Sequence, residues 1–208
     1  MSLFIPTSIE EHWLKGVTRI ITPNRGGVFT ADQPDTLVLH YTAHHSPEVA
    51  IKSLCDPSSK ASAHLVISNE GALTQLAPFN QKTWHAGKSQ WKTKIGLNQY
   101  SIGIEITNPG FLTKTQNGFL TWYNRPVALE NVIEATHRNE QTPRYWHRYT
   151  EQQIEIVEEV CRLLIQTYSI KEILGHEEIA PGRKTDPGPA FPLDKLRERL
   201  LGPGRDED

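Results

Sequence analysis

Three side chains in widely separated segments, His40, His176 and Asp186, carry lone pairs of the kind a divalent metal takes. A catalytic zinc site commonly draws three nitrogen, oxygen or sulfur ligands from the protein and leaves a fourth position for water or substrate. Each of the three has a plainer reading when taken alone. His40 closes an apolar run, where a hydrogen-bonded core imidazole is the commoner outcome, although the C-terminal end of such a strand is also where open α/β sheets present ligands. His176 follows the short apolar run Ile173-Leu174-Gly175 and is open to the same two readings. Asp186 sits in Pro181-Gly182-Arg183-Lys184-Thr185-Asp186-Pro187-Gly188-Pro189, where a solvated loop acid is the default. That stretch is more specific than its parts. Pro187 drives Asp186 toward extended backbone, and residues i and i+2 of an extended segment point the same way, so Lys184 and Asp186 are expected to face one site. An acid beside a cation in a stiff loop suits a metal ligand paired with an electrostatic stabiliser. Glu105 lies on the opposite face of its strand from Ile102, Ile104 and Ile106 and could enter the same cleft as a titratable base.

The elements that must position these residues follow from patterning. Thr36-Leu37-Val38-Leu39-His40-Tyr41 is a near-continuous β-prone run and predicts a central strand covered on both faces. Ser46-Pro47-Glu48 supplies an N-cap, a first-turn proline and an acid at the positive end of a helix reaching about Leu54. Ala63 to Ser68 and Leu73 to Leu76 flank Asn69-Glu70-Gly71 as a hairpin. Ser101 to Thr107 alternates strictly and predicts a strand. Thr150-Glu151-Gln152-Gln153 is a capping box, followed by Ile154, Val157, Cys161 and Leu164 at helical spacing. Strands alternating with helices predict an α/β fold, a single domain with a central mixed β-sheet flanked by helices and the site in a cleft at one edge or end of the sheet. The segment 111–149, with Trp122, Tyr123, Tyr145 and Trp146, fits this pattern poorly. It reads as an excursion over the sheet rim with a helix from Val127 to Arg138. Residues 1–35 read as an N-terminal extension and 201–208 as a disordered tail.

Composition narrows the function. With 22 Lys+Arg against 24 Asp+Glu in 208 residues, the chain lacks the basic excess of a nucleic-acid or membrane-surface protein. No apolar run approaches the ~18 residues of a membrane span. Two cysteines, Cys55 and Cys161, cannot build a disulfide framework or a thiolate zinc knuckle, so any metal is held by histidine and carboxylate. Both cysteines are expected as small hydrophobes packed in helices. There is no Walker loop, dinucleotide fingerprint or nucleophile elbow, and position 180, Ala, rules out an H-E-x-x-H helix starting at His176. Of the nine histidines, the adjacent His44 and His45 would point in opposite directions if extended, and His12, His137 and His147 read as surface residues.

From Thr36 to Phe191 the chain resembles the zinc-dependent N-acetylmuramoyl-L-alanine amidases of type 2, the AmpD-like group, relatives of the peptidoglycan-recognition proteins. The most specific match is Gly175-His176-Glu177-Glu178-Ile179-Ala180-Pro181-Gly182-Arg183-Lys184-Thr185-Asp186-Pro187-Gly188-Pro189-Ala190-Phe191. Leu39-His40-Tyr41-Thr42-Ala43, Ala63-His64, Trp84-His85-Ala86-Gly87 and Ser101-Ile102-Gly103-Ile104-Glu105 occur in the family's order.

The resemblance implies an amidase domain over 36–200 in which His40, His176 and Asp186 bind one zinc ion and Glu105 and Lys184 are catalytic. It implies that Trp84 and His85 border the substrate, with His64 near them or in a structural hydrogen bond. The implied substrate is peptidoglycan or a muropeptide, cut between muramic acid, or its 1,6-anhydro form, and L-alanine. No obligate protein partner is indicated. The alternative is a module that grips peptidoglycan without cutting it. The lack of a signal peptide predicts a cytoplasmic recycling enzyme; the periplasm or envelope is the alternative if the chain is trimmed or exported by another route. The long 111–149 excursion is similar to elaborations in members that cut intact sacculus.

Overall fold

The computed structural model describes residues 3–202. Numbering the strands of the two larger sheets in chain order, β1 is Thr18–Arg19, β2 Thr36–Tyr41, β3 Leu65–Ile67, β4 Leu73–Gln75 and β5 Ser101–Ile106. The excursion adds β6 Phe111–Thr115, β7 Gly118–Leu120, β8 Pro126–Val127, β9 Val132–Thr136 and β10 Pro143–His147, and β11 is Glu172–Gly175. The helices are α1 Pro47–Leu54, α2 Glu151–Thr167, the single turn α3 His176–Ile179 and α4 Leu193–Leu201. The central sheet runs β11-β2-β5-β3-β4-β1. Its first four strands are parallel, β3 and β4 form the antiparallel hairpin, and β1, from the stretch preceding Thr36, pairs parallel with β4 at the edge. The sheet is thus mixed. The polar tail from 203 onward lies outside the described residues.

Each face of the sheet has its own cover. Leu37, Leu39, Leu65, Ile67, Ile102, Ile104 and Ile106 point to one side and meet Ile156, Val157, Val160, Cys161 and Leu164 of α2, with Leu193 and Leu196 of α4. Burying such side chains stabilises the fold by roughly 1.5–3 kcal/mol each. The helix begins as its capping box requires, with Thr150 and Gln153 exchanging side-chain and backbone bonds. Val38 and Leu174 point to the other side, against Ala86, Leu97 and Ile179. That cover is irregular chain around Ala86 and Leu97 together with the single turn α3. Cys161 is buried in α2, whereas Cys55 caps α1 and is half-buried.

The excursion departs from expectation. No helix spans Val127 to Arg138; the excursion folds into an antiparallel sheet of order β8-β7-β6-β10-β9. Val132-Ile133-Glu134-Ala135-Thr136 pairs in register with Pro143 to His147. The reason is legible afterwards: β-branched residues fill a period-2 segment, and Arg125-Pro126 and Thr142-Pro143 punctuate it.

Candidate metal and active site

The register of three parallel strands assembles the site. Along β2 and β5 the register pairs Glu105 with His40. Gly175 of β11 pairs with Leu39, so the next residue, His176, falls level with His40. All three stand at the carboxyl ends of neighbouring parallel strands, where open α/β sheets place ligands. Asp186 is brought in by the Pro181–Pro189 loop, which is tied down at several points. The Glu177 N–H donates to the Asp186 carbonyl at 2.8 Å, the Gly188 N–H donates to the Glu177 carboxylate at 2.9 Å, and the Tyr149 hydroxyl donates to the Pro187 carbonyl at 2.8 Å.

His40 Nδ1, His176 Nδ1 and Asp186 Oδ2 lie 2.9 Å from one another. All three residues are buried. Their outer atoms decide where the protons are. His176 Nε2 lies 3.1 Å from the Ala86 carbonyl and 3.4 Å from the Arg183 guanidinium; donation to the carbonyl, the shorter contact, leaves the lone pair on Nδ1. His85 Nε2 likewise donates to the Ser101 carbonyl at 3.2 Å, leaving His85 Nδ1 to accept from His40 Nε2 at 2.9 Å. His40 Nδ1 therefore also carries a lone pair. Three lone pairs converge on one buried point with no hydrogen to share among them, a donor set that suits a cation. Metal-binding histidines characteristically fix their tautomer by donating the other N–H to a carbonyl or similar acceptor. Among the described residues this is the one cluster able to hold a metal ion.

Electrostatics follow the same pattern. Burial, followed by the charge of His176, lowers His40 to a pKa of about 4, against the pull of Asp186. Burial works to raise the Asp186 carboxyl, but the adjoining His176 and His40 outweigh it and hold the group below the usual carboxylate range. Burial pushes Glu105 well above its ordinary value, with the Asp186 charge adding to it and the Lys184 charge opposing. Glu105 Oε2 is buried without a hydrogen-bond partner. The Lys184 charge opposes the rise at Glu105 and adds to the lowering at His40.

The remaining histidines sort themselves. The His85 ring lies flat on Gly103, where a Cβ would collide with it. This explains a glycine inside a central strand. His85 thus touches His40 from behind, while its neighbour Trp84 is 38% exposed. His64 stands apart, between the Gln81 carbonyl at 2.7 Å, the Thr83 hydroxyl at 2.9 Å and the Gly103 N–H at 3.0 Å. His44 and His45 do not point apart: Ala43, at φ 56°, bends the chain, and the two rings stack with centroids 4.6 Å apart. His12 is exposed and His147 half-buried, but His137 is not a surface residue. It is 1% exposed, donates from Nε2 to Glu177 at 2.8 Å and stacks on Trp146. Arg138 pairs with the other Glu177 oxygen at 3.1 Å. His137 and Glu177 clasp the ligand loop to the excursion. Sequence reading missed them because a hairpin register, invisible in the helical assignment, is what carries His137 to Glu177.

A family model described as N-acetylmuramoyl-L-alanine amidase matches residues 30–189. The chain is 29% identical to the 1,6-anhydro-N-acetylmuramyl-L-alanine amidase AmpD of Escherichia coli over 93% of this chain and 96% of that protein. Its fold superposes on a crystal structure of an AmpD derivative with a TM-score of 0.68 at 25% identity, covering 93% of this chain and 99% of that one. It also matches AmiD from E. coli, solved with the substrate anhydro-N-acetylmuramic acid-L-Ala-D-γ-Glu-L-Lys, with a TM-score of 0.61 at 28% identity over 82% of this chain and 59% of that one. Among the described residues no helix is long and apolar enough to cross a membrane. By its matched sequence and its architecture, the chain belongs to the N-acetylmuramoyl-L-alanine amidase family.

Proposed function

We propose that this amidase is zinc-dependent and hydrolyses the amide between the lactyl group of N-acetylmuramic acid, or its 1,6-anhydro form, and the L-alanine that begins the stem peptide. The observation that carries the reading is the convergence of three potential ligand atoms beside the unpartnered Glu105 Oε2. His40, His176 and Asp186 hold one ion per chain, within a catalytic unit spanning 36–200. When bound, zinc supplies Lewis-acid polarisation of the scissile carbonyl and of the attacking water.

The chain's own residues do the rest. Glu105 accepts a proton from the water as its oxygen attacks the carbonyl carbon, then delivers that proton to the alanine nitrogen as the C–N bond breaks. The products are a lactyl carboxylate and a free amine. The Lys184 ammonium stabilises negative charge on the carbonyl oxygen during the attack, a role in which loss of one donor typically costs about 10²–10³ in rate. Trp84 offers its exposed ring to the substrate. His85 acts through His40, and His64 holds the strands behind them. Likeness to AmpD over nearly its whole length supports a small anhydro-muropeptide as substrate.

Glu105→Gln tests the assignment. It is expected to retain one zinc per chain and to lose roughly 10²–10⁴ in kcat; full activity in this variant refutes the base. A module that only binds peptidoglycan has no use for a buried, unpartnered carboxylate at this place. Release of peptide from purified anhydro-muropeptide compared with intact sacculi decides the substrate form, with the soluble muropeptide expected to be the faster.

A further inference from the structure

Just past the ligand strand the chain fixes a group of aromatic rings that cleavage of a single amide does not use. His40 is in β2, and three residues later the Ala43 carbonyl accepts the Trp122 indole N–H at 2.6 Å. Three residues span at most about 11 Å, so Trp122 is anchored within the length of a short saccharide from a metal ligand. The anchor takes only the indole edge. Trp122 stays 59% exposed. Tyr123 stands at 88° to it with centroids 5.2 Å apart. Tyr123 in turn stacks on His44 at 4.6 Å and 23°, and its hydroxyl is 3.0 Å from His45 Nδ1. The result is an L-shaped step, rigid because each ring is held by another ring or by backbone. Tyr123 and His45 also wall a pocket of about 340 Å³ whose lining includes Asn69, Arg125 and Asn131.

A fixed, exposed aromatic face beside polar hydrogen-bonding groups is amphipathic in the way a pyranose is. The sugar presents one face of C–H groups to a ring and its hydroxyl and acetamido groups to a polar rim. A peptide would instead seek a free strand edge or a charge partner, and the step offers ring faces. We propose that Trp122, Tyr123 and His44 form a saccharide-binding subsite that holds a sugar of the glycan chain adjoining the muramic acid whose amide is cut. The proposal rests on the amidase reading for the substrate's class, but the step's own binding is measurable without any cleavage.

The test titrates the zinc-loaded full chain with a peptide-free tetramer of β-1,4-linked N-acetylglucosamine, followed by calorimetry and by the indole N–H resonances. The tetramer is expected to bind saturably and to shift the Trp122 indole signal, assigned through Trp122→Phe. Trp122→Ala is expected to weaken binding about tenfold, and Trp122→Phe, which keeps a ring, by less. The ratio of kcat/KM for a glycan-chain substrate over a monosaccharide-peptide should fall about tenfold in Trp122→Ala. Absence of tetramer binding, binding with no shift at Trp122, or an equal loss on both substrates overturns the subsite. Failure of the amidase reading shows differently: neither substrate is cut, while the tetramer titration still reports on the step.

Discussion

His85 bonds the outer nitrogen of His40 and so sets the proton on that ring. Its Nε2–H is spent on the Ser101 carbonyl, which leaves Nδ1 to accept from His40 and turns the His40 lone pair inward. Outer partners of this kind typically change metal affinity 10–100-fold when removed, as an order of magnitude. His85→Ala should therefore weaken zinc binding by about that factor in competition with a chelator, and an unchanged affinity would show that His40 needs no such partner. His64 makes a different prediction. Burial lowers it to a pKa of about 4, against an ordinary 6.5. Between those values the unfolded chain binds the proton and the folded one does not. Stability from this group is complete above pH 6.5 and is lost as pH falls toward 4, by up to about 3 kcal/mol. Urea midpoints of the zinc-loaded protein should fall over that window, and the slope should flatten in His64→Gln. A slope unaltered by the substitution assigns the acid sensitivity elsewhere.

Elements decide which distant residues meet. The parallel register that sets Glu105 against His40 and His176 beside them is a consequence of β2, β5 and β11 being neighbours. The strands themselves were legible: the apolar run of β2, the alternation of β5 and the capping box of α2 each carry their own local signal. Their adjacency was not, because strand order depends on contacts far apart in sequence. The positions of His40 and His176 in the site came from family motifs rather than from periodicity. The excursion was misread where a mixed apolar and charged segment suits either period. Treating Val127 to Arg138 as helix also hid His137, whose buried bond to Glu177 exists only in the hairpin. His137→Ala removes one of the hydrogen bonds to the buried Glu177 carboxylate and opens space beside Trp146, and should destabilise the protein by about 1–3 kcal/mol. A change within about 0.5 kcal/mol, as for an exposed side chain, would count against the clasp.

At the scale of the whole molecule, stability and chemistry occupy opposite faces of one sheet. The isoleucines of β5 meet α2 on one side, while Glu105 of the same strand faces the site on the other. Leu164→Ala, on the α2 side, should lose about 2–5 kcal/mol of stability with little change in kcat at temperatures where the variant remains folded. Loss of zinc should remove kcat. If the three converging ligand atoms make a single metal site on which hydrolysis depends, a zinc titration reads it out. Metal-stripped protein is supplied with zinc in known increments while release of L-alanine-headed peptide from an anhydro-muropeptide is measured. The activity is predicted to start near zero, rise in proportion to zinc and level off at one ion per chain. Stripped protein that cuts the muropeptide at the full rate would show that hydrolysis needs no metal.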